Sequence, residues 1–227
     1  RNLKPLLTRS SQWYGLTLGK KAIDGGDIPY LFLPPVHPNN TLKELLNKFP
    51  AKDREQNRTF AKRAVWHRCS YDTNFNAIIP SLNHQFARVL RKDAEFSVGN
   101  GLYKIRTRIL GFAKWLPLIA LTTPFRLGVE LHGRPRGGGA LKLEPSDVRL
   151  LPVPLTITSN SKDLTDALRQ SEELVRRHDL AAATEVADEL LYVQSGLLER
   201  QALNDLRTAL RSMVQQRLSK AASIRAA

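Results

Sequence analysis

Apolar residues follow two different periods along this chain. After the proline-punctuated stretch RLLPVPLTITSNSKD, Leu164, Ala167, Leu168, Leu174 and Val175 recur at helical spacing behind the capping residue Asp163. A second helix opens at Asp179, with Leu180, Ala183, Ala187, Leu190 and Leu191 on one face. A third follows Ser195-Gly196, with Ala202, Leu206, Ala209, Leu210, Met213 and Val214. Three amphipathic helices on short turns predict a C-terminal three-helix bundle. The Ala-rich second helix lacks the Trp-Leu-Gly-Tyr pattern of a tetratricopeptide unit, so no repeat family is assigned.

Upstream, TLKELLNKF carries Thr41 and Glu44 at capping-box spacing, which predicts a short helix from about Leu42. DREQNRTFAKRAVWHR and SLNHQFARVLRKD are further helical candidates. The period then becomes two. Tyr103, Ile105, Thr107 and Ile109 alternate with Lys104, Arg106 and Arg108, as in a strand with one buried and one basic face. Phe125, Leu127, Val129 and Leu131 repeat the alternation, and so do Leu141 and Leu143 around Lys142. The expected fold class is α+β: helical N-terminal segments, a small antiparallel β-sheet or open barrel over about 102–157, and the C-terminal bundle.

Charge divides the chain. Residues 1–60 carry ten basic and five acidic side chains, 61–159 fifteen and six, and 160–227 ten of each. The net charge of +14 therefore lies wholly before residue 160. Together with the prolines this predicts three parts: an extended basic arm over 1–40, a basic α+β domain over 41–159 and a neutral helical bundle over 160–227. A polyanionic partner is expected. The candidate nucleic-acid contacts are Lys104, Arg106 and Arg108 on the basic strand face, Arg134 and Arg136 beside the Gly137–Gly139 run, and Arg88 and Arg91. Lys62, Arg63 and Arg68 extend the same field.

The glycines of VELHGRPRGGGALKLEP invite comparison with a phosphate loop. The stretch lacks the Lys-Ser or Lys-Thr of a P-loop, and its glycines lead into a strand pattern rather than a helix, so nucleotide binding by this motif is not expected. A flexible hairpin tip between 125–132 and 140–144 is the simpler reading, with its two arginines free to meet a nucleic-acid backbone. Cys69 stands two residues from His67, a spacing that points the two apart on a helix, so a half-buried structural cysteine is expected. The five histidines form no H-x-x-x-H or H-E-x-x-H pair. No catalytic residue, metal, cofactor or small-molecule substrate is assigned.

The apolar run WLPLIALTTPF, 115–125, is too short to span a bilayer and reads as a core strand, with peripheral membrane contact as its alternative. The basic start at Arg1, with no acid before Asp24, resembles the border of a processed organellar presequence. From these features the expected function is a noncatalytic subunit of an organellar ribonucleoprotein, foremost a mitochondrial ribosome in the matrix. It would bind rRNA through its first 159 residues and neighbouring proteins through the last 68. The alternative is an accessory subunit of a mitochondrial membrane complex, an ATP synthase or respiratory assembly.

Overall fold

A computed structural model describes residues 2–226, apart from 85, 110, 155, 156 and 158, with the side chains of 223–226 also left aside. Arg1, Leu155 and Thr156, on which part of the arm and sheet expectations falls, lie outside the described residues. The chain is a mixed α+β fold, as the periodicities predict.

In chain order it runs β1 (Leu3–Leu7), β2 (Thr17–Gly19), α1 (Lys20–Asp24), β3 (Tyr30–Phe32), α2 (Asn40–Asn47), α3 (Ala51–Gln56), α4 (Arg58–Ala61), β4 (Ala77–Pro80), β5 (Leu82–Asn83), β6 (Leu90–Asp93), β7 (Ser97–Val98) and β8 (Leu102–Ile105). Then follow α5 (Leu116–Leu121), α6 (Thr123–His132), β9 (Arg134–Arg136), β10 (Ala140–Lys142), α7 (Pro145–Val148), α8 (Ser161–Arg176), α9 (Leu180–Asp188) and α10 (Arg200–Ala226), with a π-helical turn over Glu189–Val193 continuing α9.

The central sheet has the order β2-β6-β4-β8, with β6 antiparallel to β4, β4 antiparallel to β8, and β2 parallel to β6. Both of its faces are covered. Successive side chains of β4 point to opposite sides, so Ala77 and Ile79 enter a large core with α5, α6, α8 and α9, while Ile78 enters a smaller one with Leu7, Leu18, Phe75 and Phe96. This explains an all-buried strand, AIIP, where alternation would have signalled one wet face. β1 joins β3 and β7 in a second sheet, and β10 joins β5 and β9 in a third.

Three local expectations change. The alternating residues 125–131 belong to a helix, α6, in which Phe125, Gly128 and Val129 are buried at helical spacing. The run 115–125 forms α5 and the first turn of α6; Trp115 to Thr123 are all buried, so the run is neither a strand nor a membrane-facing segment. SLNHQFARVLRKD supplies β5 and β6 rather than a helix, because Leu90 and Arg91 find cross-strand partners in Ile78 and Ala77. Among the described residues no helix is long and apolar enough to cross a membrane.

The three C-terminal helices form where the periodicity places them. α8 and α9 pack on one another and over α5, whereas α10 runs along α6 and the Gly137–Gly139 turn. Asp188 ties these parts together. Its fully buried carboxylate accepts from the Thr123 N–H and hydroxyl, both at 2.7 Å, at the N-terminus of α6, and from Arg207 of α10 at 3.1 Å. Burial pushes the Asp188 pKa up, while the Thr123 donors and Arg207 pull it back.

Candidate nucleic-acid interface

Charge counted along a sequence becomes binding capacity only where it is exposed and not already neutralised. On β8, Lys104 lies on the face covered by the smaller core. Its Nζ stands 5.7 Å from the Phe75 ring centre and 3.0 Å from Asp72 Oδ2. Arg106, just past the strand, donates to the same Asp72 oxygen at 2.6 Å and to the Asn74 carbonyl. The Asn74 backbone N–H and then the Lys104 ammonium hold the Asp72 carboxyl below its usual range. One carboxylate thus offsets two of the three strand cations. The third, Arg108, is exposed and has no ion-pair partner among the described residues.

Arg88 and Arg91 are also engaged internally. Arg88 is buried, lies 4.7 Å over the Tyr14 ring, and donates to the carbonyls of Ser10 and Trp13 at 2.6 and 2.5 Å. Burial lowers its pKa, and its role is to fasten the N-terminal loop to the sheet. Arg91 pairs with Asp93.

The glycine hairpin presents its charge differently. β9 and β10 pair antiparallel in the register Ala140↔Arg136, Leu141↔Pro135 and Lys142↔Arg134, with Gly137–Gly139 as the tip. The predicted hairpin is real, but its first strand is 134–136, not 125–132. Positive φ at Gly138 and Gly139, 74° and 77°, is why glycine stands there. The tip is backed by α10. A Cβ on Gly139 would stand 3.0 Å from Leu218 and 3.3 Å from Ala221. Arg217 reaches the Gly139 carbonyl and forms a two-pronged pair with Glu130 at 2.8 and 2.9 Å, each side chain only 6% exposed. Arg134 and Arg136 are exposed; Arg134 faces Asp147 at a loose 3.7 Å and Arg136 has no ion-pair partner among the described residues.

His67 Nε2 lies 3.2 Å from the Pro35 carbonyl, and Cys69 is a half-buried free thiol. Among the described residues no group of three or more His, Cys, Asp or Glu side chains could hold a metal.

A family model described as "Type II methyltransferase M.Eco57I, C-terminal domain" matches residues 1–192. The chain belongs to this family. Among solved structures, the type IIG restriction endonuclease BpuSI is similar, with a TM-score of 0.53 at 13% identity over 84% of this chain and 26% of that one. At that identity the likeness shows a shared fold, and the chain spans about a quarter of that protein's length. No curated protein matches.

Membership of a methyltransferase family overturns the ribosomal reading, and with it the rRNA and ribosomal-protein partners, the noncatalytic assignment and the mitochondrial matrix location. The membrane-complex alternative falls as well, since its membrane-proximal segment is the buried α5. Basic charge was a sound sign of a polyanion, but composition does not say which one. A methyl donor is implied by the family, and the described residues offer it no nucleotide-type cradle. The Gly137–Gly139 turn joins two strands, and its inner side is filled by α10.

Asp72, which decides how much of the strand charge is available, was legible in one respect: it is the only acid between Glu55 and Asp93. A lone acid within a basic stretch is a candidate counter-ion, although its partners across 32 and 34 residues are not legible in the same way.

Proposed function

We propose that this chain is a DNA-contacting portion of a restriction–modification methyltransferase, and that it holds duplex DNA by its backbone through Arg134 and Arg136 on the glycine hairpin, aided by Arg108. Methyl transfer belongs to the proposal for the whole protein and is not built from residues of this chain. The observation that carries the reading is the combination of family with hairpin geometry: two exposed arginines on a turn whose root is locked by the buried Arg217–Glu130 pair. A rigid tip gives up little conformational entropy on binding, so more of the electrostatic gain is kept. Lys104, Arg106, Arg88 and Arg91 enter as supports of the surface, since each already has an internal acceptor.

Fluorescence anisotropy with a labelled duplex tests this. Combined Arg134→Gln and Arg136→Gln should weaken binding to all sequences alike and reduce the slope of log affinity against log salt by about 0.9 for each phosphate that is no longer neutralised. An unchanged slope in the double variant would remove the hairpin from the interface.

A further inference from the structure

Residues 39–68 form a lobe between β3 and β4, built from α2, α3 and α4. None of these three helices contributes a buried residue, and neither core includes one of their side chains. The lobe is held by its own aromatic knot: Phe49 packs against Phe60 and Trp66 at ring-centre distances of 5.6 and 5.9 Å, and Phe60 meets Trp66 at 5.7 Å. Three arginines serve this knot and its anchoring. Arg54 lies over Trp66, Arg63 over Phe60, and Arg68 donates to the Pro34 carbonyl at 2.8 Å.

The remaining cations do no such work. Lys43, Lys48, Lys52, Arg58 and Lys62 are exposed, and no ion pair among the described residues involves them. With eight basic and three acidic residues, 39–68 carries a net +5 out of the chain's +14. A lobe that adds nothing to either core and leaves five cations unneutralised costs self-repulsion, which a bound polyanion would relieve.

We infer that this lobe is a second duplex-binding surface, gripping DNA phosphates through Lys43, Lys48, Lys52, Arg58 and Lys62; the inference rests on the reading of the chain as DNA-contacting. Leu45 and Phe49 are 49% and 38% exposed beside these cations, a mixture that an anionic bilayer would also accept. The breaks at Pro50 and Asn57 argue for DNA, because they deny the lobe one continuous apolar face to lay on a membrane, whereas separate cations can each meet a phosphate.

The test replaces all five with glutamine and measures anisotropy on a labelled duplex across salt, beside sedimentation with phosphatidylserine vesicles. Since the five side chains are exposed and make no ion pair, circular dichroism should be unchanged. Affinity at ~0.1 M salt should fall at least ~10-fold and the salt slope should flatten by about 3, while a variant with arginine at the four lysine positions keeps both. If the wild-type chain binds duplex and the glutamine variant binds it with the same affinity and slope, the lobe is not a DNA surface. Loss of vesicle binding alone, with duplex binding intact, would assign it to a membrane instead. A wild-type chain that does not bind duplex at all overturns the DNA reading itself, and this inference with it.

Discussion

Asp72 shows how one side chain sets the electrostatic character of a surface. Its pKa is lowered in the folded chain, so it contributes stability that is fully present above the ordinary carboxylate range and is lost as pH falls through the folded value. Its partners are partly exposed, which keeps the contribution of each pair within about 1 kcal/mol. Asp72→Asn should therefore lower thermal stability only slightly at pH 7. The difference between variant and wild type should shrink as pH drops below about 4, where the wild-type carboxyl is itself protonated. The same substitution frees Lys104 and Arg106, so duplex binding should tighten and its salt slope steepen at neutral pH. A melting-temperature difference that persists unchanged down to about pH 3 would mean that ion pairing is not what Asp72 supplies.

At the level of elements, long-range partners decide the segments whose local pattern misleads. α6 reads as a strand because Leu127 and Leu131 fill the alternation, yet Leu131 is 62% exposed, and the residues that matter are Phe125, Gly128 and Val129. Its N-terminus is completed by Asp188, 65 positions away, which no local window contains. α8 and α9 were legible because their apolar stripes are narrow and their caps, Asn160 and Asp179, are adjacent in sequence. The hairpin lay between these cases: its glycine tip was visible, but the strand pairing with it and the helix behind it were not. That helix makes the tip a stringent position. Gly139→Ala places a methyl group against Leu218 and Ala221 in a left-handed backbone, costing about 1–2 kcal/mol for the conformation alone. Gly137 has open space around its Cβ position and an ordinary φ. Gly137→Ala should be nearly silent in a chemical denaturation series in which Gly139→Ala is clearly destabilised, and equal effects would show that α10 does not seat on the tip.

Over the whole molecule, charge and packing divide the chain differently. We propose that the boundary near Ser159, with an arm over 1–40 and a basic part over 41–159, is a division of charge and of contact roles rather than of folding. The large core draws Leu118, Ile119, Leu121, Phe125 and Leu143 from one side of that boundary and Leu164, Leu168, Val175, Leu190 and Leu191 from the other. Each of those latter side chains, fully buried, is worth about 1.5–3 kcal/mol. Their sum matches or exceeds the ~5–15 kcal/mol net stability of an ordinary domain. A chain ending at Ser159 would also leave Thr123 without Asp188 and Glu130 without Arg217, exposing one helix terminus and one buried carboxylate together. Such a fragment should retain strand and helix signals in the far ultraviolet but lose its near-ultraviolet spectrum and its sharp melting transition. It should also bind duplex weakly and without discrimination against salt-matched heparin, because the hairpin is then without the helix that fixes it. If instead the fragment melts cooperatively near the temperature of the full chain, the helices after Ser159 are an appended unit and the shared core contributes little to its stability.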